Sequence, residues 1–342
     1  MARLVVVSFR LGGTDGVSVE AAKWMGAFRR LGHQVTTVAG EGGDVVIAEL
    51  AIGATTSPRH DELGAALADA DVVVVENLAS LPLNPGARDV LYDVLEGRRA
   101  LFRHHDLAWQ RERFRDERAP RDAPTWRHVT INDLSRLELK TRGVTAVTVP
   151  NAFDCQPPLG RRSVARRSLD VGDARLVLMP SRAIARKNVA GAVTLASALK
   201  AILWILGPSE DGYEDTLANL LCGAEDVRRG LPAGLSVHDA YAASDLVVVP
   251  STWEGFGNPV LESVTHRRPL AVYPYPVLEE IRSHGFRFFT LDDVAGLDDY
   301  LRAPDADLLE HNLELARRHF NLLDLPARLA TILASLGVTT DY

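Results

Sequence analysis

Short runs of aliphatic and β-branched residues recur along the whole chain, each apolar without interruption or nearly so. Residues 4–8, 35–38, 72–76, 100–103, 129–131 and 146–149 form one set. A strand with one wet face alternates apolar and polar residues, whereas these runs do not, so they read as strands buried on both faces of a parallel sheet. Helical patterns lie between them. From 17 to 31 the residues Trp24, Ala27, Phe28 and Leu31 recur at helical spacing, and Gly32 stands at the C-terminal stop. Strand–helix–strand alternation implies right-handed βαβ crossovers.

The pattern pauses near residue 150, where Pro150-Asn151-Ala152-Phe153-Asp154-Cys155-Gln156-Pro157-Pro158-Leu159-Gly160 reads as a linker. It restarts with expected strands at 176–180, 202–206, 235–237, 246–250, 270–273 and 286–290, and closes with helical segments over 305–336, broken near Leu325-Pro326. The expected architecture is therefore α/β. Two Rossmann-like domains occupy 1–150 and 151–320, and a helical tail at 321–342 packs back toward the first. Their parallel sheets would face a central cleft. With 342 residues, 46% hydrophobic and 24% charged, the composition is that of a soluble globular protein of about two domains. A net charge of -7 leaves no basic footprint for nucleic acid. Cys155 and Cys222 are too few for a disulfide framework, and the apolar start of the chain is too short for a signal peptide or membrane span. A cytoplasmic protein is expected.

The most informative stretch is Val249-Pro-Ser-Thr-Trp-Glu-Gly-Phe-Gly-Asn-Pro-Val-Leu-Glu262. A buried strand leads into a loop holding Gly255 and Gly257. Asn258 then suits an N-cap and Pro259 the first helical position. Glycine lets backbone N–H groups approach a ligand, and a helix N-terminus favours negative charge, so a phosphate fits here. Glu254 and Glu262 bracket the loop. Ionised carboxylates only accept hydrogen bonds, so hydroxyls must lie between them and a phosphate, as sugar and ribose would provide. The plainer alternative is a strand–turn–helix corner with two solvated glutamates.

These residues resemble the E-x7-E signature of retaining glycosyltransferases of family 4, which have the two-domain GT-B fold. The resemblance extends over most of the chain. Gly12-Gly13 with Gly32-His33 is similar to the family's first loop and the end of its first helix. Val149-Pro150-Asn151-Ala152-Phe153-Asp154 resembles its V-P-N-G-V-D linker. Ser181-Arg182-Ala183-Ile184-Ala185-Arg186-Lys187-Asn188 resembles its G-R-x-x-x-x-K-N element, and residues 241–250 its Y-x-x-x-D-x-x-x-x-P run. Ala152 and Ser181 stand where the family usually has glycine, and Asn258 where it commonly has leucine; none of these departures removes a charge.

The resemblance implies an acceptor-binding first domain and a nucleotide-sugar-binding second domain. Donor contacts would come from Gly12, Gly13, Gly255, Phe256, Gly257, Asn258 and Glu262, with Glu254 on the sugar and Glu262 on the ribose. Arg182 and Lys187 make chemical sense beside a leaving diphosphate, whose negative charge grows during transfer. Lys187 is one of only four lysines, with Lys23, Lys140 and Lys200, among 38 basic residues. Arg186 reads as a solvated neighbour. Two D-x-D triplets, Asp69-Ala70-Asp71 and Asp305-Ala306-Asp307, sit before a strand and at a helix start. Neither suits a catalytic metal, so no metal or other cofactor is expected. The G-G-x-x-G of the first loop is not the dinucleotide fingerprint.

In Leu101-Phe102-Arg103-His104-His105-Asp106 a first-domain strand ends in two histidines. By the resemblance, His105 matches a family histidine near sugar and acceptor, with His104 the runner-up; Asp106 would fix its tautomer. The arginine- and acid-rich stretch 111–122 reads as a solvated helix and acceptor-side loop, flanked by Trp109 and Trp126 as candidate pocket walls or core. The implied activity is metal-independent transfer of a hexosyl group from a UDP- or GDP-linked sugar to the hydroxyl of a small-molecule, glycan or glycolipid acceptor, with retention. A homodimer is compatible with it. The alternatives are a nucleotide-sugar 2-epimerase on the same fold and a non-catalytic nucleotide-sugar-binding subunit.

Overall fold

The computed structural model describes residues 1–13, 15–224 and 226–339. The described residues form two compact units, one of residues 1–152 with 322–339 and one of residues 153–321. The first runs β1 (Arg3–Arg10), α1 (Gly16–Arg30), β2 (Gln34–Glu41), β3 (Val45–Val46), α2 (His60–Leu67), β4 (Val72–Glu76), α3 (Pro85–Val94), β5 (Ala100–His104), β6 (Trp126–Thr130), α4 (Asp133–Thr141) and β7 (Ala146–Thr148). Among the described residues these strands make one parallel sheet in the order β3-β2-β1-β4-β5-β6-β7.

The uninterrupted apolar runs have a direct cause. Val72 and Val74 join Leu4, Val6, Leu101 and Val129 on one face of this sheet, while Val73 and Val75 join Val5, Val7, Ala100 and Phe102 on the other. Both faces are covered, so both parities must be apolar. On α1, Trp24, Ala27 and Phe28 supply the helical side of the first layer. That helix ends as its glycine predicts: Gly32 takes φ +79°, and the His33 amide reaches back to the Phe28 carbonyl at 3.1 Å.

The second unit contains α5 (Arg162–Ser168), β8 (Leu176–Met179), α6 (Val189–Ala198), β9 (Ile202–Ile205), α7 (Glu214–Leu220), β10 (Val227–Arg229), α8 (Val237–Ala243), β11 (Leu246–Val249), α9 (Asn258–Thr265), β12 (Leu270–Val272), α10 (Pro276–Ser283), β13 (Phe289–Thr290), α11 (Val294–Arg302) and α12 (Ala306–His319). Its described strands are again all parallel, in the order β10-β9-β8-β11-β12-β13. The last helix, α13 (Leu325–Ser335), belongs to the first unit, where Leu325, Leu329, Ile332 and Leu333 pack in the layer of α1.

Two expectations fail here. Residues 235–237 are not a strand. Ser236 instead caps α8 in a reciprocal box, its Oγ accepting from the Asp239 amide and its own amide donating to Asp239 Oδ2. The strand of this region is β10, whose Val-Arg-Arg sequence carries no apolar signal and which lies at the sheet edge. Residues 111–122 are not a helix of the solvated kind either; a 3₁₀ turn at Glu112–Phe114 passes into irregular chain.

Candidate active site

In a doubly wound sheet the connections diverge where strand order reverses, leaving a crevice beyond the carboxyl ends of two adjacent strands. In the second unit those strands are β8 and β11. The segment after β8 holds Arg182 and then a 3₁₀ turn, Ala185–Lys187. Asn188 closes the turn at φ +47° and caps α6 by accepting from the Gly191 amide. Its side-chain amide donates to the Pro250 carbonyl at 3.3 Å, and the Thr252 amide donates to the Arg186 carbonyl at 2.9 Å. The loops after β8 and β11 are thereby stitched together. Gly207 is required beside them, because a Cβ there would lie 2.6 Å from the Arg182 Cα.

Glu254 sits at the centre of this junction. Lys187 Nζ donates to its Oε1, and Arg186 Nη1 lies 3.2 Å from its Oε2; only 8% of either the Lys187 or the Glu254 side chain is exposed. Burial pushes the Glu254 carboxyl up, but the charges of Lys187 and Arg186 outweigh it and hold it below the usual range. Burial lowers Lys187 below its usual value against the pull of Glu254, and the positive charges of Arg186 and Arg182 add to the lowering. Arg182 pairs with Glu210 at 2.5 Å across a partly exposed surface. Arg186 is thus no solvated bystander. It also donates to the Trp253 carbonyl at 3.0 Å, so it grips the loop twice.

Farther along, Gly257 rather than Asn258 caps α9, and Asn258 is the first helical residue. Gly257 has φ +96°, and a Cβ there would meet the Tyr275 hydroxyl at 2.0 Å. Tyr275 Oη donates to the Phe256 carbonyl at 3.2 Å, fixing the loop from below. The buried Phe256 ring stacks on Phe153 and meets Phe320 edge-on. Glu262, half-buried on α9, has Oε2 braced by the Tyr241 hydroxyl at 2.8 Å.

The first unit reverses order between β1 and β4. Gly12 leaves β1 at φ +76°, Gly13 follows, and Asp15 caps α1 through the amides of Val17 and Ser18; Thr14 lies outside the described residues. Beyond β4 and β5 stand Glu76 and the two histidines. His104 has both ring nitrogens committed, Nδ1 to Ser80 Oγ at 2.7 Å and Nε2 to His128 Nδ1 at 2.9 Å, and burial drives its pKa well down. His105 commits Nε2 to Glu76 Oε2 at 2.7 Å. Asp106 does not hold that ring; its carboxylate pairs with Arg111 at 3.0 Å.

The sequence pattern does not single out Glu76, because it reads as the end of an apolar run; its signal is a carboxylate at the carboxyl end of a buried strand. It is fully buried and also 3.3 Å from Arg103 Nη1. Arg103, equally buried, reaches Glu20 and Asn151 and lies 4.2 Å from the centre of the Trp24 ring. Lys23 bonds Glu20 at 2.5 Å, so two of the four lysines lie in buried ion networks. Trp126 stacks on Tyr92 in the core, whereas Trp109 donates to Glu138. Asp69 and Asp71 pair with Arg3 at the amino end of the first sheet, and Asp305 caps α12.

Residues 162–302 match the family described as Glycosyl transferases group 1. This segment is a group 1 glycosyltransferase domain. It contains Arg182, Lys187, Glu254 and Glu262. The chain is similar to mannosylglucosylglycerate synthases of Thermotoga maritima, at 26% identity over 94% of this chain and 97% of the relative, and of Petrotoga mobilis, at 24% over 85% and 86%. Its fold is shared with Anabaena HepE in complex with UDP-glucose, at TM-score 0.77 and 17% identity over 98% of this chain and 100% of the other. The chain is a glycosyltransferase with the GT-B fold. Among the described residues no helix is long and apolar enough to cross a membrane.

Proposed function

We propose that this glycosyltransferase moves a hexosyl group from a nucleoside diphosphate sugar to an acceptor hydroxyl with retention, using fixed cations where other transferases use a metal ion. The observation that carries the reading is the buried Glu254, paired with Lys187 and Arg186 at the β8/β11 reversal. A diphosphate placed over the Gly255–Gly257 backbone meets amides and the α9 N-terminus. Lys187 and Arg182 then stabilise the charge that grows on it as the glycosidic bond breaks. Arg186 remains on Glu254, which keeps that carboxylate ionised and ready to accept from sugar hydroxyls. Glu262 accepts from the ribose.

His105, in the first unit, serves substrate hydroxyls. Retention follows from departure and attack on the same face, with the leaving phosphate taking the acceptor's proton; catalysis then rests on orientation and charge stabilisation. The relatives' names put a mannosyl donor and a glucosylglycerate acceptor first in any screen, and the HepE complex adds UDP-glucose. Incubation with GDP-mannose, UDP-glucose and related donors tests the proposal. Nucleoside diphosphate release, faster with acceptor, supports transfer. An isomerised sugar means an epimerase, and binding without turnover means a sensor subunit.

A further inference from the structure

The first unit holds its own carboxylate-centred constellation, and its geometry bears on how His105 acts. We propose that Glu76 is a positioning residue that fixes the His105 ring with hydrogen on Nε2, so that Nδ1 is the atom offered to substrate. This rests on the reading of His105 as a residue that meets sugar or acceptor.

Glu76 is the last residue of β4 and has no exposed surface. Burial opposes its ionisation, but the charge of Arg103 and the His105 bond hold its carboxyl below the usual range. An ionised carboxylate accepts and never donates, so the proton in the 2.7 Å contact belongs to His105 Nε2. The carboxylate cannot turn away to release the ring. Its other oxygen faces Arg103, and Arg103 is itself held by Glu20 Oε2 at 3.5 Å, Asn151 Oδ1 at 3.1 Å and the face of Trp24. The His105 backbone is fixed from the same strand end: Asn77, at φ +58°, accepts from its amide at 3.0 Å. Ring and backbone are thus set by the last residue of β4 and the residue that follows it.

The consequence is chemical. With Nε2 bound as a donor, a neutral His105 presents the Nδ1 lone pair and accepts a hydrogen bond from a hydroxyl. Protonation turns Nδ1 into a donor and ends that role. The charged and titratable neighbours of the pair are Arg103 and His104 from β5, with Glu20 from α1 reaching it through Arg103.

Two measurements on the whole protein test this. Nitrogen-15 histidine spectra of the unmodified protein, with His105→Gln used to assign the ring, are expected to show the Nε2–H tautomer; an Nδ1–H tautomer overturns the proposal, and this readout needs neither activity nor a Glu76 variant that folds. In turnover, Glu76→Gln is expected to lower kcat at least tenfold and change the donor KM less than twofold. His105→Ala separates the two ideas. A slow His105→Ala beside a Glu76→Gln with wild-type kcat overturns the positioning role alone, whereas a His105→Ala at wild-type rate removes the reading of His105 on which it rests.

Discussion

Glu76 and Glu254 occupy matching places, one at the reversal of each sheet, and each has an arginine on one oxygen and a second nitrogen donor on the other. They differ in what surrounds them. Glu76 ends a strand and is enclosed, and its arginine is buried with it. Glu254 stands on a loop five residues past β11, and its arginine is partly exposed. The first arrangement cannot exchange partners without unfolding the layer around it. In the proposed function the second does: Lys187 leaves Glu254 for a phosphate while Arg186 stays, so that one chemical group would serve once as a fixed frame and once as an exchangeable counter-ion.

Substitutions break the comparison in a defined order. The largest effect belongs to Arg103→Ala, which takes the shared arginine from the buried carboxylates of Glu76 and Glu20; a loss of about 3–5 kcal/mol in denaturant unfolding is expected, and an unchanged midpoint would refute the enclosed-frame description. Lys187→Ala leaves Glu254 with Arg186. Stability should fall far less, while turnover drops about a hundredfold, the usual worth of a charge-stabilising donor. Gly257→Ala forces a side chain into the left-handed region and against Tyr275, at a strain of order 1–3 kcal/mol; donor KM should rise, and an unaffected KM would show that the loop does not hold the ligand.

Acid sharpens the contrast next. His104 is held neutral by burial, and His128 is lowered by burial to about 4. Their unfolded forms take up protons below about 6.5 while the folded forms do not, so stability falls as pH drops from about 6.5 toward 4. The lowered Glu76 and Glu254 contribute stability above the normal carboxylate range and lose it only on further acidification. A stability curve flat between pH 6.5 and 4 would contradict the buried neutral histidines. The smallest effect is expected from EDTA, which should leave turnover within about twofold; abolished activity would end the metal-free proposal.

The sequence made legible whatever burial writes into residue type. The double-sided sheets show as runs such as Val72–Glu76, the glycine turns as Gly32 and Gly257, and the candidate donor loop as charged groups around glycines. What it concealed were partners chosen by three-dimensional proximity. Asp106 follows His105 in the chain yet turns to Arg111, while Glu76, 29 residues away, takes the ring. Arg186 looked like surface charge because its hold on Glu254 and the Trp253 carbonyl spans more than sixty residues. Edge strand β10 was hidden by its arginines. Position 235–237 is the instructive miss, since Ser236 and Asp239 spelled a capping box more clearly than Leu235 and Val237 spelled a strand.

The central claim is that Lys187, drawn from its pair with Glu254, grips a diphosphate in the second unit. Thermal unfolding with and without added UDP or GDP tests it directly, because a ligand bound only by the folded state raises the melting temperature. The account predicts an upward shift for the unmodified protein with one of the two nucleotides and its loss in Lys187→Ala. An equal shift in both proteins would contradict it.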